Sequence, residues 1–215
     1  MPLQVQPASE ADVQRAVEIE AIAYDSPSNA ILFPGPMPAN AKEERAEFLT
    51  KQLKDDTTTR WLKVVDTDIE GEEQMVAFAK WHIYTEKPEP TLRQFGQGCN
   101  AEACELLFGG LQKQRIEILG DRPHVYLHML QTDPKHNRRG AGTMLIKKVL
   151  DEAQRQGMIA YLESSEAGHS LYARLGFKDV ELQELDMSQW GATETHKTWS
   201  MIWEPRALNP VMNGD

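Results

Sequence analysis

His124-Val125-Tyr126-Leu127-His128-Met129-Leu130-Gln131-Thr132-Asp133-Pro134-Lys135-His136-Asn137-Arg138-Arg139-Gly140-Ala141-Gly142-Thr143 reads as a buried strand, a proline turn and a glycine-rich helix start. Residues 125–130 are apolar and β-prone, and Asp133-Pro134 ends the run because the residue before a proline is pushed out of helical space. After the loop, Leu145, Ile146, Val149, Leu150 and Ala153 recur at helical spacing. Lys147, Lys148, Asp151, Glu152 and Arg155 take the other face, so a helix starts at about Gly140. Between strand and helix, Asn137-Arg138-Arg139-Gly140-Ala141-Gly142 puts small residues where backbone amides must come close to a ligand. A helix N-terminus with free N–H groups and a positive dipole end favours an anion there, and phosphate is the natural guest. The same glycines also suit plain close packing or a turn. A Rossmann site would need Gly-x-Gly-x-x-Gly directly after the strand, and a P-loop Gly-Lys-Ser/Thr; the sequence carries neither.

The segment resembles the acetyl-CoA-binding motif of the Gcn5-related N-acetyltransferase (GNAT) superfamily, Gln/Arg-x-x-Gly-x-Gly/Ala after a splayed strand. Arg139 precedes Gly140-Ala141-Gly142, and the first motif position is Asn137. Downstream, Ala167-Gly168-His169-Ser170-Leu171-Tyr172-Ala173-Arg174-Leu175-Gly176-Phe177 is similar to the family's second signature, in which a Leu-Tyr pair on a short helix precedes Gly-Phe. Two motifs in the right order with one strand between them are far more specific than either alone. The likeness is firm over residues 124–180 and elsewhere rests on pattern.

A chain of 215 residues with 40% hydrophobic content can bury one sizeable core, and its length suggests a single domain over residues 1–215. A net charge of -10 argues against nucleic acid or an anionic membrane as a bulk partner. It would favour a cationic substrate, although solubility is the commoner reason for such a charge. Cys99 and Cys104 are too few for a disulfide scaffold, the N-terminal residues show no basic-then-apolar signal pattern, and no apolar run approaches membrane-spanning length. A cytoplasmic setting is expected.

In chain order, residues 3–6 alternate, and Ser9-Glu10-Ala11-Asp12 forms a helix-start signature for a helix over residues 10–24. Its stripe of Val13, Ala16 and Val17 continues through Glu20 and Tyr24. Glu20 either reaches water at the stripe's edge or offers a cleft carboxylate to a cationic amine. Residues 25–40 read as a loop whose Ile31, Leu32 and Phe33 pack on the core or line a substrate pocket. A helix over residues 41–53 points Ala46, Phe48, Leu49 and Leu53 inward. Residues 60–66 and 74–84 form a hairpin in which His82 is most simply structural. Residues 85–122 read as an insertion, helix-prone over 101–119 and interrupted at Gly109-Gly110; it either covers the substrate cleft or is a plain surface helix. A strand over 158–163, the helix of Tyr172, and strands over 178–185 and 195–203 follow, and residues 205–215 look frayed. The order β-α-α-β-β-(insertion)-β-α-β-α-β-β matches the α/β (α+β) GNAT fold, a mixed sheet splayed at the acetyl-CoA site.

What the resemblance implies for chemistry is an N-acetyltransferase using acetyl-CoA as co-substrate and no metal. Tyr172 stands where the family's tyrosine protonates the leaving thiolate; its other reading is packing beside Phe177. Leu130 and Thr132 would align the pantetheine arm, and Arg138 to Thr143 would hold the pyrophosphate. Ser164 stands where many relatives have an asparagine contacting the coenzyme. Alternation puts Tyr126, His128 and Leu130 on one strand face and Val125, Leu127 and Met129 on the other, making His128 the candidate base, with a satisfied core histidine as the alternative. Its position is similar to one of two strand histidines in arylalkylamine (serotonin) N-acetyltransferases; Tyr126 occupies the companion position. Glu20, Tyr24, Ile31 and Phe33 are the acceptor-binding candidates. The expected acceptor is a small primary amine, aromatic or polyamine-like. A protein or peptide amine, and a non-catalytic acetyl-CoA-binding module, are the competing functions.

Overall fold

The computed structural model describes residues 2–89 and 94–206. Seven strands form one sheet in the order β1-β2-β3-β4-β5-β7-β6, with β1 at Leu3–Pro7, β2 at Thr59–Asp66, β3 at Met75–Tyr84, β4 at His124–Thr132, β5 at Ile159–Ser165, β6 at Lys178–Leu185 and β7 at His196–Trp203. β4 and β5 run parallel and every other neighbouring pair antiparallel, which makes the sheet mixed. β3 is buried from Met75 through His82 because both of its faces are covered, which explains its near-continuous apolar run.

One face is covered by α6 (Ala141–Gln156) and α7 (Glu166–Arg174). α6 buries Ala141, Leu145, Ile146, Val149 and Ala153 against Val76, Ala77, Ala79, Val125 and Leu127. Each large apolar side chain sunk there contributes about 1.5–3 kcal/mol. Gly157, with φ at 65°, ends α6 in a left-handed cap, where Gly157 and Met158 both donate to the Ala153 carbonyl. The other face carries α1 (Val13–Ala23) and α3 (Ala41–Asp55), whose Val13, Ala16, Val17, Ile19 and Leu49 pack on Trp61, Phe78 and Met129. Phe48, expected inward, is exposed; it lies along α3 beside Arg45, whose guanidinium sits 5.7 Å from its ring.

Residues 25–40 are not a plain loop. Ser26 accepts the Asn29 amide and Pro27 sits in the first turn, so a short helix, α2 (Pro27–Leu32), forms there. The expected break at Gly109-Gly110 is also absent: α4 (Ala101–Cys104), a π-helical turn (Glu105–Gly109) and α5 (Gly110–Leu119) run on without a gap. A π turn leaves carbonyls without their usual partners, and here the Gln183 side chain of β6 donates to Leu106 and Leu107 O. Gly110 makes this possible, since a Cβ there would lie 2.6 Å from the Gln183 amide nitrogen. Of the tail expected to fray, Arg206 is tied to Gln154 of α6 through two hydrogen bonds, and residues 207–215 lie outside the described residues.

Two irregularities in β4 shape the site. Its pairing with β5 runs only from His124↔Ile159 to Tyr126↔Tyr161, after which β5 pairs with β7 alone and the two strands part. On the β3 side, Lys80 pairs with Met129 but Trp81 with Leu127, so His128 is the extra residue of a β-bulge. The bulge reverses the alternation expected for this strand. Leu130 joins Val125 and Leu127 on the α6 face, while Met129 and Gln131 turn to the α1 face with Tyr126.

Candidate active site

The parting of β4 from β5 leaves the β5-facing peptide groups of residues 127–132 without a strand partner, at the place where Leu130 and Thr132 stand. An extended amide-bearing chain can complete such an edge with main-chain hydrogen bonds. Asp133 then caps a short turn by accepting the Lys135 amide, and its other oxygen takes Arg15 of α1 at 2.6 Å. Burial opposes the charge on Asp133, but the Lys135 amide and Arg15 outweigh it and hold the carboxyl low. This buried pair fixes the base of the loop that follows.

In that loop Asn137 closes the turn, Arg138 adopts a positive φ of 61° and Gly140 a φ of 92°, directing successive peptide N–H groups toward the start of α6. Gly140 O accepts from Met144, leaving the amides of Ala141, Gly142 and Thr143 as the orphan donors of a helix N-terminus. Gly142 lies against Leu171 and Leu130, at 3.4 and 3.6 Å from where a Cβ would stand, which couples the cradle to α7 and β4. Arg139 is already engaged, by Asp66 at 2.6 Å and His136 at 2.8 Å, so its guanidinium is held within the protein. Arg138 is exposed.

Tyr172 is buried on α7, edge-on to Phe177 at 5.8 Å. Burial, with the nearby Tyr24 hydroxyl adding to it, pushes its hydroxyl well above the usual tyrosine range, so it is a phenol at neutral pH. Ser164 lies beneath Gly168 and donates to the Ser165 carbonyl. Across the sheet, Gln131 donates to the Tyr24 hydroxyl at 2.9 Å and leaves its own Oε1 without a partner. The Tyr24 ring is half-exposed.

His128 is exposed, aimed out by the bulge on the α1 and α3 face. Its ring stacks on Tyr126 at 5.3 Å and lies 5.6 Å from His82. Beneath it, Glu163 of β5 accepts from the Tyr126 hydroxyl at 2.6 Å and from Arg115 of α5 at 2.7 Å, and Arg115 also lies 4.5 Å over the Tyr126 ring. The helix expected to be an insertion therefore stands beside His128 and supplies a charge to its support. Of the acceptor candidates, Glu20 sits half-buried at the edge of its stripe and presents no open carboxylate, because Arg45 takes both of its oxygens at 2.9 and 2.7 Å. Ile31 and Phe33 pack with Leu32 against Ala103, Cys104 and Leu107. Sequence reading takes His82 as most simply structural, and for Arg115 and Glu163 the only signal is a charge in mid-strand at Glu163.

Residues 31–177, more than half of the chain, match the Acetyltransferase (GNAT) family. The chain belongs to this family. It is an acetyl-CoA-dependent N-acetyltransferase, and the paired-strand gap, glycine cradle and α6 N-terminus fit the pantetheine and pyrophosphate of that donor. Solved structures similar in fold include a Corynebacterium glutamicum protein described as histone acetyltransferase HPA2 and related acetyltransferase, at 20% identity with a TM-score of 0.60, covering 98% of this chain and 100% of that one. Arabidopsis thaliana NAA60 in complex with acetyl-CoA is similar at 14% identity and a TM-score of 0.58, over 94% of this chain and 98% of that one. The C-terminal condensation domain of Ebony in complex with beta-alanyl-dopamine reaches a TM-score of 0.68 at 13% identity, over 94% and 98%. No curated protein matches the sequence. Among the described residues no helix is long and apolar enough to cross a membrane, and no group of three or more His, Cys, Asp or Glu side chains is placed to hold a metal ion.

Proposed function

We propose that the chain works as a single cytoplasmic domain that transfers acetyl directly from acetyl-CoA to the primary amine of a small molecule, with His128 as base through water and Tyr172 as acid. The observation that carries this reading is the exposed His128 imidazole, bulged out of β4 just past Tyr126, where β4 and β5 part. The amine nitrogen loses a proton to His128 and attacks the thioester carbonyl. The oxyanion forms against the unpaired main chain near Leu130, the C–S bond breaks, and the thiolate takes the Tyr172 proton. The Asn137 to Thr143 loop holds the pyrophosphate through amides, and Ser164 shapes the wall under Tyr172.

On the acceptor side, Glu20 and Glu163 are each matched by an arginine, and the rings of Tyr24 and Tyr84 supply apolar surface. This suits an amine carried on an aromatic or aliphatic body. α2 and the α4–α5 helix, joined through Leu32 and Leu107, bound that side. Thiol release from acetyl-CoA, followed across primary arylalkylamines, polyamines, amino acids and lysine peptides, tests the reading. Release with a small amine well above the amine-free blank supports it. Release with lysine peptides alone moves the acceptor to protein, and release with none, while acetyl-CoA still raises the Tm, leaves only a donor-binding module.

A further inference from the structure

His82 has no part in the transfer described above, yet it is buried on β3 with its ring against that of His128. Its Nδ1 lies 3.2 Å from the hydroxyls of Thr58 and Thr59 and 3.5 Å from an Asp56 carboxylate oxygen. The Thr58 hydroxyl already donates to Asp56 at 2.6 Å, so toward Nδ1 it accepts, as the Asp56 carboxylate does. A carboxylate and a hydroxyl that is already committed as a donor thus face Nδ1, which places the proton on Nδ1 and leaves Nε2 its lone pair. Thr59 pairs with His82 from β2, so the Nε2 edge of the ring faces the other neighbour, β4, where Tyr126 is the register partner and His128 follows.

Two imidazoles sharing an N–H···N bond sit about 5 Å apart, centre to centre, given a donor–acceptor distance of about 2.9 Å and the ring radii. The observed 5.6 Å is close to this, so a small turn of the exposed His128 ring is enough to make the bond. The charged and titratable groups around His82 are Lys80 and Tyr84 on its own strand, Asp56 at the end of α3, Arg115 from α5, His124 and Tyr126 on β4 and Glu163 on β5. Burial lowers the His82 pKa to about 4, Lys80 and Arg115 add to this and Asp56 opposes it, so the ring stays neutral at working pH.

We propose that His82 is a positioning residue for His128: its Nε2 accepts a hydrogen bond from the His128 ring, which fixes the His128 nitrogen that faces the cleft and supports the charge His128 gains on taking the amine proton. This rests on the reading of His128 as base. Being neutral and already bonded at Nδ1, His82 orients its neighbour without competing for the proton.

The test uses His128→Ala, His82→Phe and His82→Gln in the full chain with an acceptor found in the amine panel. Phe keeps a ring to stack on Tyr84 and Tyr126 and removes both nitrogens; Gln restores an acceptor. His82→Phe is expected to lower kcat about tenfold or more, with KM for acetyl-CoA unchanged, in the range seen when an orienting partner is lost. The ascending limb of the pH–rate profile should move to lower pH, because the protonated His128 loses its acceptor, and His82→Gln should recover part of both. Nitrogen-15 spectra of histidine-labelled protein should show His82 as the neutral Nδ1–H form at pH 7. If His128→Ala keeps the wild-type rate, the base assignment fails and this inference with it. If His128→Ala is inactive but His82→Phe leaves kcat and the limb unmoved, or lowers Tm and rate without moving the limb, the positioning role alone is overturned, as it is if His82 proves to be the Nε2–H form.

Discussion

The two faces of the sheet are built on different principles. The α6 face is almost wholly apolar, and in the proposed reaction it presents the donor site as main chain: a strand edge, a turn and a helix N-terminus. The α1, α3 and α5 face holds paired polar groups sunk against the sheet, including Arg15–Asp133, Glu20–Arg45, Lys80–Gln52 and Arg115–Glu163. Backbone recognition of the donor depends on where the chain turns and tolerates many side chains. In the proposed reaction, acceptor selection falls to side chains whose charges must be matched one by one, so a single change there can strand a partner.

That contrast is exposed most strongly by Arg115→Leu, which leaves Glu163 and the Tyr126 hydroxyl without their cation under the sheet. It should destabilise the fold by about 3 kcal/mol, read as a lower denaturant midpoint at unchanged slope, and the further loss on adding Glu163→Leu should be much smaller. Next in size, Tyr172→Phe should lower kcat about 100-fold, equivalent to about 2.7 kcal/mol, with the Kd for acetyl-CoA unchanged by calorimetry.

Two glycines separate the faces more finely. Gly140→Ala forces a side chain into a φ of 92° where no atom is in the way, so it should cost about 1 kcal/mol of stability and weaken acetyl-CoA binding. Gly110→Ala would push Gln183 off the Leu106 and Leu107 carbonyls, costing about 1–2 kcal/mol with acetyl-CoA binding untouched. The smallest effect is expected at Lys80, buried beneath α3 with its ammonium on Gln52. Burial lowers its pKa to about 8, Arg45 adds to this and Glu20 and Asp56 oppose it. The unfolded chain therefore holds the extra proton between about pH 8 and 10.5, and stability rises with pH across that window. Lys80→Met should be neutral to about 1 kcal/mol stabilising at pH 7 and should flatten the rise, as followed by denaturation at several pH values.

The strand, turn and helices of the proposed donor half were legible because their signals are local: a proline after a strand, glycines that suit a turn, a helical stripe, and a tyrosine motif within a few residues. The acceptor half was not. Arg15 meets Asp133 and Arg115 meets Glu163 across long stretches of chain, and pattern cannot pair them. The bulge at His128 has no glycine or proline to announce it, so strict alternation misplaced Met129 and Leu130 while still leaving His128 on the Tyr126 face. Gly109-Gly110 looked like a helix break, whereas the π turn and the reach of Gln183 use the missing side chain. Glu20 looked available because Arg45, on the next long helix, cannot be seen from α1 alone.

The central claim is that donor and acceptor meet on opposite sides of the parted strands and react in one complex. Initial rates of thiol release, with acetyl-CoA and the best amine of the panel both varied, test it directly, together with the mass of the protein after acetyl-CoA alone. Intersecting reciprocal plots and an unmodified mass are the predicted result. Parallel lines with an acetylated protein that passes its acetyl group to the amine would contradict direct transfer.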